Sequence, residues 1–365
     1  MSETLPEEPD RRGGAPHPRM TARIFGQERA EARFLSALGS GRMPHGWLLT
    51  GPRGIGKATL AWRIARHMLR ETPAPSLDMS PEDPVFRRVA ALGAPEVFLC
   101  RRPWDAKAKR LRSAITVEEV RALKSFFQFS APDARWRIAI VDALDEATDA
   151  ASNALLKILE EPPARALLLL VCHNPARLLT TLRSRCRTLA CMPLAPEDMA
   201  AAMAGASAST GPSAAALAQL ACGSVGRALD LAAQDGVALY EEIAGVIATA
   251  PALDRRRAIA LAEACAGRGS EARYDLTAAL LGLAIARLAL GAVGRAGAPL
   301  TQGEDAARAR LATSPMQARL WADLAPRIEA RTGHARAVHL DPAQVILDTF
   351  LQIDAAAAKA IAQAA

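Results

Sequence analysis

The segment GPRGIGK, residues 51–57, has the spacing of a loop that binds phosphate. Gly51, Gly56 and Lys57 match the pattern of Gly, four residues, Gly and Lys, and Gly54 adds a further glycine. In such a loop the backbone amides surround the phosphates and the lysine amine neutralises them. An apolar strand before the loop and a helical pattern after it are the context that this chemistry requires. We therefore predict a loop derived from a nucleotide site; a glycine-rich turn with a chance lysine is the alternative.

The residue after the lysine departs from that pattern. Ala58 stands where a Ser or Thr hydroxyl holds magnesium. Thr59 follows one residue later, and one residue on a helix turns the side chain by about 100°. We therefore expect metal binding at this loop to be impaired.

A second acidic motif follows the apolar run RIAIV, residues 137–141. A hydrolysing enzyme of this type needs an Asp for the metal and a Glu beside it to polarise water, and here the two residues are Asp142 and Ala143. Loss of a positioned general base typically costs about 10²- to 10⁴-fold in rate. Two defects in one site argue against efficient hydrolysis. A shifted register using Asp145 and Glu146 is the alternative, as is a role for both as solvated acids at a helix start.

The elements needed to position these residues are visible as apolar runs. Four runs predict strands: HGWLLTG, EVFLCRR, RIAIVD and ALLLLVC. Helical patterns lie between them, one of which begins with a Thr116 cap followed by Glu119 three residues later. Continuous apolar strands that alternate with helices indicate a parallel sheet covered on both faces. The predicted fold class is α/β, a phosphate-loop domain with a parallel sheet.

Composition shifts along the chain predict four parts. Residues 1–19 are rich in Pro, Gly and charge and predict a disordered tail. Residues 20–192 form the phosphate-loop domain. Strand patterns then end, and Ala-rich helical stretches predict a small helical lid over 193–240 and a larger all-helical domain over 241–365.

Composition also limits the cellular context. The chain has 365 residues, a formal net charge of +7 and six scattered cysteines without a CxxC pair. The charge suits an acidic partner such as DNA, and the cysteines favour a reducing compartment. The first twenty residues lack the apolar segment of a signal peptide. We expect a cytoplasmic protein without a membrane partner.

Three motifs together resemble one family. HGWLLTGPRGIGK, SNALLKILEEPP and LLTTLRSRC are similar to the AAA+ clamp-loader subunits of bacterial DNA polymerase III, over about residues 22–240. The second and third motifs are highly specific together. The resemblance implies an AAA+ domain, a helical lid and an all-helical collar that assembles the ring. Ala58 and Ala143 resemble the family's subunits that are not motors.

The resemblance also implies residue roles and partners. Arg185, in the SRC motif, corresponds to an arginine finger that acts in trans on ATP held by a neighbouring tau/gamma motor subunit. An arginine finger is worth about 10³- to 10⁵-fold in rate. The delta subunit, the sliding clamp and primed DNA are the further partners implied. The alternative for Arg185 is a surface charge in an Arg-rich loop.

The same resemblance implies ATP or ADP as the ligand of a degenerate site, formed by Gly51, Gly54, Gly56, Lys57, Thr59, Asp142 and Arg227. Arg227 lies one residue beyond the family's sensor arginine position, which Gly226 occupies. The residues CHN, 172–174, lie where a polar sensor would follow a strand. Many relatives carry clustered zinc-binding cysteines after the phosphate-loop helix; here none are clustered, so we predict no metal site.

Three hypotheses remain open at this point. The first is a subunit that supplies Arg185 but hydrolyses little ATP itself, and the second is an active AAA+ ATPase motor of a clamp loader or of a branch-migration complex. A small-molecule kinase, the third, gives no reason for the SRC motif. The basic run RRPWDAKAKRLRSAI is either a DNA contact or a solvated loop.

Overall fold

The structure is a computed structural model. It describes residues 8, 16–72, 74–107, 110–128, 135–205, 214–267, 269–338 and 340–362. The chain divides into two compact units. Unit 1 comprises residues 1–211 and 221–230, and unit 2 comprises residues 212–220 and 231–365.

A five-stranded parallel sheet forms the centre of unit 1. Its strands are β1 (Gly46–Thr50), β2 (Val97–Arg101), β5 (Arg137–Asp142), β6 (Ala166–Cys172) and β7 (Arg187–Ala190), in the order β2-β5-β6-β1-β7. Two short antiparallel strands, β3 (Trp104–Asp105) and β4 (Arg110–Leu111), form a separate sheet. All seven residues of β6 are buried, as expected for a central strand with both faces covered. The predicted α/β class with a parallel sheet is confirmed.

Helices surround this sheet. They are α1 (Glu28–Gly39), α2 (Lys57–Met68), α3 (Pro84–Ala90), α4 (Val117–Gln128), α5 (Asp149–Glu160), α6 (Thr180–Arg185) and α7 (Pro196–Gly205). Leu48, Leu168 and Leu170 share a hydrophobic cluster with residues of α4, α5 and α6. Residues next to these in the strands point to the opposite face, where Phe34 of α1 lies 5.2 Å from Trp47 between ring centroids. The side chains that could bind a ligand therefore project from loops at the ends of a rigid, doubly covered sheet.

The start of α4 shows one half of the expected capping pattern, the contact from Glu119 back to Thr116. The backbone amide of Thr116 donates to Glu119 Oε2 at 2.7 Å, and the Thr116 hydroxyl donates to the same oxygen at 2.7 Å. The carboxylate thus satisfies a backbone donor just before the first helical turn.

Unit 2 consists of helices in the part of the chain that is described. They are α8 (Ala214–Leu220), the last residues of α9 (Val225–Ala233), α10 (Gly236–Ala248), α11 (Arg255–Glu263), α12 (Glu271–Gly291), α13 (Gln302–Leu311), α14 (Pro315–Ala337) and α15 (Pro342–Ala362). Trp321 on α14 is fully buried, and its Nε1 donates to the Leu311 carbonyl at 2.7 Å. The expectation that strands end near residue 193 agrees with this structure.

A buried charge cluster lies inside unit 2. The Glu304 carboxylate accepts from Arg287 Nε at 2.8 Å and from the Leu300 amide at 2.9 Å, and it also pairs with Arg308. Glu304 is only 3% exposed. Two cations and a backbone donor therefore compensate one buried carboxylate.

Helix α12 is, among the described residues, the single helix long and apolar enough to cross a membrane by length and composition. Half of its apolar window is buried in the protein interior. This is what a core helix of a helical domain shows.

The predicted four-part division stays a prediction, but one detail differs at its first boundary. Of residues 1–19, only Glu8 and residues 16–19 lie within the described ranges. His17 is 5% exposed, and Arg19 donates to the Ala90 carbonyl at 2.8 Å and to Glu8. The part of the predicted tail next to residue 20 is therefore packed against α3, because its arginine meets a helix-terminal carbonyl.

Candidate functional site

The loop between β1 and α2 has the backbone that its glycines permit. Gly51, Gly54 and Gly56 have φ values of +140°, +77° and +101°, a region that other residues rarely adopt. A Cβ built on Gly51 would lie 2.4 Å from the Cys191 carbonyl oxygen, so space as well as conformation demands glycine. The glycine spacing read from the sequence is thus required by the loop itself.

Lys57, the first residue of α2, is folded over this loop. Its Nζ lies 2.6 Å from the Gly51 carbonyl oxygen and 2.5 Å from that of Pro52, and the residue is 3% exposed. Burial lowers the pKa of Lys57 to about 8, while the nearby carboxylates of Asp142 and Asp145 act in the opposite direction. The amine is held at the helix N-terminus, where a phosphate would meet it.

The residues present suit a phosphate better than a magnesium ion. Ala58 and Thr59 both line the cavity beside the loop, but Ala58 offers no oxygen at the position that follows Lys57. Within the described ranges, no group of three or more His, Cys, Asp or Glu side chains lies together to hold a metal. Gly54, Gly56 and Lys57 would hold the phosphates of a bound nucleotide. The terminal phosphoryl group of that nucleotide is the group that hydrolysis would transfer.

The acidic side chains of residues 142–146, at and after the end of β5, mostly make contacts within the protein. Asp142 ends the strand and lines the cavity, and Ala143 is buried. The Asp145 carboxylate accepts the backbone amides of His173 and Asn174 at 2.9 and 3.1 Å. These bonds connect the end of β5 to the end of β6.

Glu146 is engaged as well. It pairs with Arg53 Nη2 at 2.5 Å and with Arg102 Nε at 2.8 Å. Together with the bonds to Asp145, these contacts argue against the shifted register in which Asp145 and Glu146 would replace the missing Glu.

The start of α9 lies directly on the phosphate loop. The Ser224 hydroxyl donates to the Arg53 carbonyl at 2.8 Å, and the Gly226 amide donates to the Gly54 carbonyl at 2.9 Å. Among the described residues, Gly226 lines the cavity, whereas Arg227 does not. Arg227 follows the family's sensor position by one residue, and this shift is visible in the structure. Gly226 lies close to the phosphate loop, and the Arg227 side chain lies about 100° further around the helix.

A cavity of about 810 Å³ adjoins the loop. Its polar lining residues include Lys57, Asp142 and His173, and its apolar lining residues include Ile24 and Leu229. This volume is within the range of small-molecule sites. The sequence motifs predicted the lining residues of the phosphate loop and Asp142, but not the wall formed by residues 20–25.

Two buried arginines on α2 hold that wall in place. Arg66 donates to the carbonyls of Arg19 and Thr21 at 2.8 Å each, and Arg63 donates to the Ala22 carbonyl. Both arginines are at most 2% exposed. The arginines within the apolar helix pattern WRIAR could have predicted this wall, because a buried guanidinium needs hydrogen-bond acceptors nearby.

Arg185 lies at the opposite edge of the sheet from the phosphate loop. It ends α6, just before β7 begins at Arg187, and a Cβ built on Gly46, the first residue of β1, would lie 3.6 Å from the Arg185 carbonyl oxygen. The phosphate loop follows the other end of β1. A five-residue strand rises about 16 Å, so Arg185 and Lys57 occupy separate edges.

The side chain of Arg185 is exposed and already has partners. Its Nη2 lies 2.8 Å from Glu160 Oε1, and its Nη1 donates to the Thr181 carbonyl at 3.1 Å. Of the site residues predicted from the sequence, Gly54, Gly56, Lys57, Thr59 and Asp142 line the cavity, whereas Gly51 and Arg227 are not among its described lining residues. Arg185 lies apart from all of them.

Most described arginines of the basic run have acidic partners. Arg101 pairs with Glu8 at 3.0 Å, and Arg112 lies 3.8 Å from Asp105. Trp104 is 40% exposed. The acidic partners offset the positive charge of these arginines, which argues against their role as a DNA contact.

Comparison with known proteins finds similarity to subunits of DNA polymerase III. Residues 26–195 match the family described as "DNA polymerase III, delta subunit". The chain is 35% identical over 153 residues to "DNA polymerase III subunit delta'" of Pseudomonas aeruginosa, which covers 42% of this chain and 44% of the relative. It is 31% identical over 189 residues to "DNA polymerase III subunit gamma/tau" of Mycobacterium tuberculosis, covering 51% and 31%. The match therefore spans less than half the length of either relative.

Among solved structures, a DNA polymerase III gamma subunit-related protein from Thermotoga maritima aligns with 89% of this chain and 99% of its own, at 16% identity and a TM-score of 0.40. The resemblance depends on the sequence matches and not on this alignment. The predicted resemblance to the delta-prime subunit of the bacterial DNA polymerase III clamp loader is confirmed, because residues 26–195 match the model of that family and both relatives are DNA polymerase III subunits.

Proposed function

We propose that the protein is a delta-prime-like subunit of a clamp loader in DNA replication, which supplies Arg185 to a nucleotide bound by a neighbouring motor subunit. The observation that carries this proposal is the placement of Arg185, exposed at the sheet edge opposite to the chain's own phosphate loop. An arginine in this place cannot serve the nucleotide loop of its own chain, but it can serve a second one.

The chain's own loop supports the same division of labour. Ala58 removes the hydroxyl for magnesium, Ala143 removes the water-polarising carboxylate, and Asp145 and Glu146 are engaged elsewhere. Weak or absent hydrolysis in the chain itself follows. The guanidinium of Arg185 would stabilise the charge that develops during phosphoryl transfer in the neighbouring subunit. Such an arginine raises the rate of hydrolysis by about 10³- to 10⁵-fold.

The partners follow from this role. They are the tau/gamma motor subunits, the delta subunit, and, through the complex, the sliding clamp and primed DNA. The helices of residues 241–365 would form the oligomerising collar and those of 193–240 the lid. A replication complex of this kind operates in the cytoplasm.

The test is DNA-stimulated ATP hydrolysis by a clamp loader reconstituted from purified subunits with either the wild-type chain or Arg185→Ala. We expect a loss of at least about tenfold with the assembly intact, since a finger normally contributes more than that. Arg183→Ala is the matched control, because Arg183 is exposed on the same helix two residues earlier. An unchanged rate with Arg185→Ala overturns the proposal.

The second candidate is an active ATPase, and the cavity beside Lys57 is the observation that favours it. Binding of ATP or ADP there is compatible with either function, whereas turnover is not. Steady hydrolysis by the isolated chain, abolished by Lys57→Ala, would establish the second function instead of the first.

A further inference from the structure

Glu160 is the acidic partner of Arg185. The two side chains meet at 2.8 Å between Nη2 and Oε1, and each is only partly exposed, with 37% of the arginine and 42% of the glutamate side chain accessible. A second bond joins Nη1 to the Thr181 carbonyl one turn earlier in α6. The guanidinium is therefore held at two points, one on its own helix and one on α5.

The helix that carries Glu160 is firmly fixed. The preceding residue, Leu159, is 2% exposed, and Leu182 of α6 is 1% exposed in the same hydrophobic cluster. A ring nitrogen of His45 lies 2.9 Å from the Leu159 carbonyl oxygen, which ties the end of α5 to the segment before β1. Because both backbones are anchored in the core, the ion pair sets the direction of the arginine and not the position of the helices.

A carboxylate at position 160 does not stabilise the helix that carries it. It is the last residue of α5, where the helix dipole disfavours a negative charge. The neighbouring Arg185 offsets that cost. A carboxylate at this place is explained by the arginine that it faces.

An arginine carries five N–H donors, of which the two described contacts use two. The remaining donors are available to a ligand presented from outside the chain. A guanidinium that is already oriented loses less side-chain freedom when it meets such a ligand.

We propose that Glu160 is a positioning residue for Arg185, which holds the guanidinium in the direction required by a phosphate group on a neighbouring subunit. This inference rests on the proposed function, since it requires Arg185 to act in trans. Glu160 itself touches no phosphate, and its effect passes entirely through Arg185.

The test is a double-mutant cycle in the reconstituted complex, with Glu160→Gln, Arg185→Ala and the two combined. Gln keeps the volume of the side chain, so the fold should be preserved. We expect Glu160→Gln to lower kcat for DNA-stimulated hydrolysis by about two- to fivefold, the range of a partly exposed ion pair, with KM for ATP unchanged. Raising the salt concentration should reduce this difference, because salt screens the pair.

Two comparisons separate positioning from a structural role. In the Arg185→Ala background, Glu160→Gln should have no further effect, whereas a general loss of structure would lower the rate again. Glu161→Gln, the adjacent exposed carboxylate, is the matched control and should leave kcat unchanged.

The outcomes distinguish this inference from the proposed function. If Arg185→Ala slows hydrolysis but Glu160→Gln does not, or accelerates it, the positioning role is wrong and the finger stands. If Arg185→Ala has no effect, both are wrong.

Discussion

Lys57 is a cation enclosed by its own loop. Its amine contacts two backbone carbonyls, and burial lowers the pKa to about 8 from the usual 10.5. Other groups that act on it are Asp142, Asp145, Cys172 and Cys191. The folded protein therefore bears a penalty for keeping this lysine charged, and a bound phosphate would relieve that penalty.

The penalty predicts a pH dependence of stability. Between pH 8 and 10.5 the unfolded chain retains the Lys57 proton that the folded chain has lost, so stability should rise with pH across this window, and the full penalty should be present below it. Relative to Lys57→Met, the free energy of unfolding of the wild type should increase by about 2–3 kcal/mol from pH 7.5 to 10.5.

Urea titrations at several pH values measure this difference. Lys124→Met is the matched control, because it removes a lysine from an exposed position of α4. A constant difference between the wild type and Lys57→Met across the window would show that burial does not perturb Lys57.

At the level of elements, the contact between the phosphate loop and α9 is the feature that constrains the site most. Ser224 and Gly226 bond to the carbonyls of Arg53 and Gly54. A Cβ on Gly54 would lie 2.6 Å from Ser224 Oγ and 2.9 Å from Gly226 Cα. The start of α9 is thus hydrogen-bonded directly to the backbone of the phosphate loop.

Gly54→Ala should disrupt this contact. The substitution adds strain at a φ of +77° and an overlap with Ser224 and Gly226, for a combined loss of about 2–4 kcal/mol in the free energy of unfolding. Gly41→Ala is the control: its φ is +69°, but nothing lies within 4 Å of the built Cβ, so only backbone strain of about 1 kcal/mol should remain.

Thermal or urea unfolding of the two variants checks the prediction. Equal losses would mean that α9 moves away from the loop at little cost, and that the contact does not hold the segment in place.

The elements around the site differ in how far the sequence predicts them. β1, β5 and β6 are continuous apolar runs, and burial on both faces dictates such runs, so their prediction succeeded. β7 was missed because it is four residues long and only Leu189 is buried. The cavity wall at residues 20–25 was missed because its contacts to Arg63 and Arg66 use backbone carbonyls, which every residue has.

For the whole molecule, the division into two units implies two cores with separate determinants of stability. In unit 2 the determinant that stands out is the cluster of Glu304 with Arg287 and Arg308. Removing one member of a buried pair leaves an uncompensated charge, which is costly. The two cores should therefore respond differently to a change in this cluster.

Glu304→Gln should lower the stability of unit 2 by about 3–5 kcal/mol, because Arg287 and Arg308 lose their shared carboxylate. Circular dichroism during thermal unfolding measures the effect. The control is Glu263→Gln, an exposed glutamate on α11 of the same unit, which should change stability by no more than about 0.5 kcal/mol. A similar small change for both variants would contradict a stabilising role of the cluster.

Of the five tryptophans in the chain, four lie in unit 1 and only Trp321 lies in unit 2. Since Trp321 is fully buried and its indole is bonded to the Leu311 carbonyl, its fluorescence emission should shift to the red when unit 2 opens. With the other four tryptophans replaced by phenylalanine, that emission becomes an optical probe built into one unit, and the proposed assembly with partner subunits through this half of the chain could be followed without a label.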